Sequence, residues 1–147
     1  EEYNGSSWTE KNDLNAVRVN MASDGIVTAA IIAGGGPTNT TNVETSDGTS
    51  WTETTNINTA RQECEGAGTT TAFVIFGGQA PAGPALTELW DGSSWTEVGD
   101  LATGRGGMTR AGTSVAALAA GGANSPPYTA VTEEWTQPLG VKTVTLT

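Results

Sequence analysis

Apolar positions in this chain come in short bursts separated by polar, glycine-rich stretches. The longest burst, IVTAAIIA at 26–33, has the length of a strand, and TTAFVIFGG and SVAALAAGG repeat its character downstream. Each burst is followed by a shorter segment, NVETS, LTELW or VTEEW. No stretch keeps apolar residues at three- and four-residue steps, and each interior glycine costs a helix about 1 kcal/mol. The pattern predicts an all-β chain. Asn-Gly or Asp-Gly turns tolerate positive φ and are strong hairpin signals. They occur in NGSSWTE at 4–10, DGTSWTE at 47–53 and DGSSWTE at 91–97, nearly the same seven residues written three times.

Aligning Trp8, Trp51 and Trp95 brings other positions into register without gaps. Arg18, Arg61 and Arg105 lie ten residues after their tryptophans, and the pairs Gly34-Gly35, Gly77-Gly78 and Gly121-Gly122 begin twenty-six after. Gly25, Gly68 and Gly112 form another column, read as turn glycines closing the first strand. A period of 43 to 44 residues indicates stacked supersecondary units. Each unit reads as four short antiparallel strands, too small a sheet to cover its own faces, and radial packing is the usual solution for such repeats. The expected organisation is one domain, 1–147, with a partial unit at 1–10 and units at about 11–53, 54–97 and 98–147. That makes about three blades of a β-propeller plus an extra N-terminal hairpin. Closed propellers have 4 to 8 blades. The chain is therefore expected to be part of a larger propeller, as the C-terminal portion of a longer chain, or to close a ring with other copies. The last unit lacks the Asp-Gly hairpin, and VKTVTLT at 141–147 is a candidate replacement for its fourth strand.

The double glycine ending an apolar strand, its spacing from the tryptophan and the intervening arginine resemble the kelch repeat in degenerate form. The tyrosine that often precedes the kelch turn is represented here by Tyr3, Ser46, Trp90 and Trp135. The segments NGSSWTE and AALAAGG are also similar to kelch-like repeats in bacteriophage structural proteins and bacterial surface proteins. The resemblance implies a virion or extracellular location, in a tail, fibre or cell surface.

Charge narrows the partners. Six Lys plus Arg against sixteen Asp plus Glu give a net charge of -10, which disfavours phosphate backbones and anionic lipid surfaces. No apolar run approaches the ~20 residues of a membrane helix. No secretory signal is visible, although the chain opens on Glu1 rather than Met. Expected partners are other copies, other virion or surface proteins, or a host glycan, with neither nucleic acid nor membrane insertion.

Catalytic chemistry is sparse. There is no histidine, and the single Cys64 reads as a small buried residue. No metal or other cofactor is expected, and copper held by histidines, as in kelch-type oxidases, has no ligands here. A catalytic residue is needed once, a structural one in every unit. The three column arginines are therefore expected to hold carboxylate or carbonyl oxygens between blades. The periodic acids, Glu10, Glu53 and Glu97 in one column and Glu1, Glu44, Glu88 and Glu133 in another, are expected to be solvated or paired with arginine. A sialidase-like or other carbohydrate-active enzyme, with these columns converging on substrate, is the alternative function. A kelch adaptor for another protein is a third. The favoured expectation is a non-enzymatic structural or recognition module. The loops after the second strand differ most between units, and variable loops on a rigid scaffold are usual recognition sites. Asn39, Gln79, Asn124 and Tyr128 are the candidate ligand-binding residues.

Overall fold

The computed structural model describes residues 1–79, 85–123 and 128–138. These contain thirteen strands in four antiparallel sheets and no helix. A two-stranded hairpin, β1 (Glu2–Tyr3) and β2 (Trp8–Thr9), comes first. Blade 1 is β3 (Ala22–Ile26), β4 (Ala29–Ala33), β5 (Val43–Ser46) and β6 (Trp51–Thr54), paired in chain order. Blade 2 repeats it with β7 (Glu65–Thr69), β8 (Ala72–Phe76), β9 (Thr87–Trp90) and β10 (Trp95–Glu97). Blade 3 has β11 (Thr109–Thr113), β12 (Ala116–Ala120) and β13 (Thr132–Thr136) among the described residues. The segment 141–147, expected to add a fourth strand, lies outside them.

Blade 2 is apolar on both faces because both are covered. Successive residues of β8 point to opposite sides. Phe73 and Ile75 join Ile31, Ala33 and Val43 of blade 1 in one core. Val74 and Phe76 join Ala117 and Ala119 of blade 3 in another. Fully burying each large side chain contributes about 1.5–3 kcal/mol, so the two interfaces are the main source of stability. Trp95 seals the first, 7% exposed, with its indole N–H donating to Thr55 O at 2.9 Å.

Backbone hydrogen bonds tie the blades as well. Gly35 N–H donates to Arg61 O (2.8 Å) and Gly78 N–H to Arg105 O (2.9 Å). Glu63 N–H donates to Asn20 O (2.8 Å) and Gly107 N–H to Glu63 O (2.9 Å). Asn20, Glu63 and Gly107 share a left-handed φ of 57, 56 and 60°. These three have no side-chain likeness, so the column is invisible in the sequence.

The Gly25, Gly68 and Gly112 column differs from expectation. These glycines sit inside β3, β7 and β11 rather than in turns, with φ of 126, 138 and 113°. A Cβ there would lie 2.1–2.3 Å from a carbonyl oxygen of the facing strand, so only glycine fits. The loops after the second strands and the segments linking blades lie at one end of the sheets. Val19, Gln62 and Gly106, in the segments entering each blade, bridge to Gly36, Gln79 and Ala123 after each second strand. The Asp-Gly turns lie at the other end, where Gly48 and Gly92 approach Thr28 and Thr71.

Candidate functional site

The arginine column is buried and engaged, but not as expected. Each guanidinium works inside its own blade rather than between blades. Arg61, fully buried, donates through Nη1 to Leu86 O (2.6 Å) and through Nε to Thr59 O (3.3 Å), and Nη2 pairs with Glu88. Glu88 also accepts from the backbone N–H of Asn58 (2.7 Å) and Thr59 (3.2 Å). Arg18 pairs with Glu44 and donates to Asn42 O (2.8 Å), while its buried Nε has no hydrogen-bond partner among the described residues. Arg105 pairs with Glu133 and donates to Gly121 O (2.8 Å) and Thr103 O (2.7 Å). What crosses between blades is the backbone carbonyl of Arg61 and of Arg105, through the glycine amides already named.

Electrostatics follow from this geometry. Burial alone would raise the Glu44 carboxyl. Hydrogen bonds from the Asn15 amide and side chain and from Arg18, with the Arg18 charge, outweigh it and hold Glu44 below the ordinary range. Glu133 behaves alike, with burial opposed by Arg105 and the amides of Ala102 and Thr103. Both carboxylates accept from several donors at once, Glu44 fully buried and Glu133 partly exposed. The other acidic column, Glu10, Glu53 and Glu97, is exposed. Cys64 is buried, and burial pushes its thiol up to about 11, so little thiolate forms at neutral pH.

Asn39, Gln79 and Tyr128 lie in the segments between the second and third strands of their blades. Asn39 is half-buried. Gln79 is exposed, exchanges two backbone hydrogen bonds with Gln62 (3.1 and 2.7 Å) and donates from Nε2 to Glu63 Oε2 at 2.8 Å. Tyr128 is 88% exposed. Asn124 lies outside the described residues. No hydrogen bond joins Asn39, Gln79 and Tyr128 into one site among the described residues.

A different polar cluster was missed. Arg110 of β11 reaches across β7 to β3, pairing with Asp24 (Nη1 to Oδ2, 3.0 Å) and donating to Ser23 O (2.7 Å). Asp24 Oδ2 also accepts from Gly68 N–H at 2.9 Å. One carboxylate thus links all three blades through their first strands. Burial would raise Asp24, but the Gly68 and Gly25 amides and Arg110 lower it overall. Glu65 nearby is raised by burial, with Arg110 partly opposing. The available signal was departure from the period, because Arg110 is the one arginine outside the column.

Comparison with protein-family models and with curated proteins finds no match for this chain.

Proposed function

We propose that the chain is a kelch-like propeller segment acting as a non-enzymatic structural and recognition module of an extracellular assembly, a phage tail or fibre or a bacterial surface structure. The observation that carries this reading is the burial of the periodic arginines with their glutamates. The ionic chemistry repeated in every unit is consumed inside each blade, and loops on a rigid scaffold remain for contact. Multivalent binding to a host glycan or a partner protein is the mechanism such a scaffold serves. The net charge of -10 argues against nucleic acid. None of the described residues forms a helix long and apolar enough to cross a membrane.

The test has two parts: fractionation of purified particles or surface material, and retention of the pure chain on immobilised glycans and on proteins of the same assembly. Recovery in the particle fraction with retention on one of these supports the reading. A soluble cytoplasmic monomer retained by neither contradicts it.

A second reading, a carbohydrate-active enzyme, is favoured by Asp24 and Glu65. These two carboxyls are shifted in opposite directions beside Arg110, as acid–base pairs often are. Turnover of aryl glycosides that disappears in Glu65→Gln would establish it.

A further inference from the structure

Of the asparagines in the chain, Asn4 is the one followed by glycine. Its turn is closed by the Asn4 N–H donating to Ser7 O at 3.1 Å. Asn4 Oδ1 accepts from the amides of Ser6 and Ser7, both at 3.0 Å, and from the Ser6 hydroxyl at 2.9 Å. A side-chain oxygen bonded to the amides two and three residues on is folded back over the peptide between them, that of Gly5. Among the described residues, neither Asn4 Nδ2 nor the Gly5 N–H makes a hydrogen bond. Asn15 and Asn58 differ. Asn15 Nδ2 donates to Glu44 Oε2 (2.8 Å) and Trp51 O (3.0 Å), and Asn58 Nδ2 donates to Trp95 O (3.2 Å).

The same turn occurs twice more with aspartate in the asparagine's place. Asp47 Oδ1 accepts from the amides of Thr49 and Ser50, and Asp91 Oδ1 from those of Ser93 and Ser94, each at 2.8 Å. The Ser50 amide, then that of Thr49, holds the Asp47 carboxyl below its ordinary range. The Ser94 amide, then Ser93, lowers that of Asp91 to about 2. The two amides of the turn thus stabilise negative charge on the oxygen they hold. Asp47 and Asp91 are exposed in four-stranded blades, so access of water belongs to the turn itself.

We propose that Asn4 is a site of spontaneous deamidation and that its turn directs the product to aspartate. The Gly5 nitrogen gives its proton to hydroxide and attacks Asn4 Cγ, closing a five-membered ring. Glycine carries no Cβ to hinder that approach. Negative charge develops on Oδ1, where the Ser6 and Ser7 amides already point, as donors do in an oxyanion hole. The Cγ–Nδ2 bond then breaks, and the nitrogen leaves as ammonia with a proton from water. Water reopens the cyclic imide in one of two ways. Attack at Cγ breaks the new bond, restores the backbone and gives an aspartate built like Asp47 and Asp91. Attack at the main-chain carbonyl carbon routes the backbone through the side chain. That lengthens the path between the Asn4 N–H and Ser7 O and loses their hydrogen bond. Conversion adds one negative charge to a chain already at -10.

The test is peptide mapping by mass spectrometry on the full chain kept at mildly alkaline pH. The free peptide spanning residues 1–11 is the unfolded reference, and the Asn4→Asp chain is the standard for the aspartate product. Asn4 should convert ahead of every other asparagine and at least as fast as in the free peptide, with a larger share of aspartate over isoaspartate. Gly5→Ala should slow conversion at least about tenfold. Asn4→Gln can close only a six-membered ring and should stay unconverted over the same time. Slower conversion in the folded chain than in the peptide would mean that the turn shields Asn4, and would overturn the site. The peptide's product ratio in the folded chain would overturn the direction.

Discussion

The hairpins β1–β2 and β9–β10 carry nearly the same residues, and their ring pairs are built alike. Tyr3 and Trp8 lie 5.2 Å apart at 40°, Trp90 and Trp95 5.2 Å apart at 35°. Yet Tyr3 and Trp8 are 51% and 66% exposed, while Trp90 and Trp95 are 2% and 7% exposed. The turns match as well. Asn4 Oδ1 accepts from the amides of Ser6 and Ser7, as Asp91 Oδ1 does from Ser93 and Ser94. The seven-residue motif therefore sets the turn and the ring pair, and the neighbouring sheets set the burial. A repeat of this kind specifies its local form completely and its stability hardly at all.

The contrast is broken most severely through the ion pair that blade 2 has and the hairpin lacks. Glu1 and Glu88 hold the same repeat position, but Glu1 is exposed and Glu88 is buried against Arg61. Arg61→Leu leaves a buried carboxylate without its partner and is expected to cost about 3–5 kcal/mol in urea unfolding. Glu1→Gln should leave the midpoint within about 0.5 kcal/mol of the parent. Next come the tryptophans. Trp95→Ala empties part of the blade 1–blade 2 core and should cost about 3 kcal/mol, against less than about 0.5 for Trp8→Ala. Equal losses would mean that the N-terminal hairpin is packed as firmly as blade 2.

Glycine substitutions sharpen the comparison on a smaller scale. At Gly68, φ is 138° and a Cβ would lie 2.1 Å from Ala72 O. At Gly5, φ is 99° but nothing lies within 4 Å. Gly68→Ala should therefore cost up to about 3 kcal/mol, and Gly5→Ala about 1, by the same unfolding measurement.

The smallest effect is one of pH. Hydrogen bonds from the Ser94 amide, then from Ser93, lower the Asp91 carboxyl from 3.8 to about 2. A depressed carboxyl stabilises the fold above its unfolded value and ceases to do so as pH falls through the folded one. The Ser93 and Ser94 amide resonances should move between pH 4 and pH 2, while those of Ser6 and Ser7, held by the uncharged Asn4, stay put. In the same direction, Glu44 and Glu133 contribute stability above their ordinary value of 4.5 that is lost at lower pH. Acid unfolding should therefore begin below that value.

Much of this was readable in the residues. The strand order, the Asp-Gly turns and the three-and-a-fraction units follow from apolar bursts and one period, because each feature is local and repeats. The buried fate of the arginines was readable from their recurrence. So was their pairing with the glutamate column. That the pairs close within a blade was not, because sequence spacing cannot tell which side of a sheet a long side chain crosses. Arg110 and Asp24 were missed because they break the period. Asn20, Glu63 and Gly107 were missed because a shared backbone angle needs no shared side chain.

Neighbouring sheets, rather than the motif itself, shelter the aromatic rings, and the tryptophan indole protons report this directly. Trp95 donates across the interface to Thr55 O of blade 1, while Trp90 and Trp135 donate within their own blades to Thr70 O and Ser114 O. Hydrogen exchange followed by NMR should show these three N–H groups protected and that of Trp8 exchanging at the rate of free indole. Protection of Trp8 equal to that of Trp95 would contradict it.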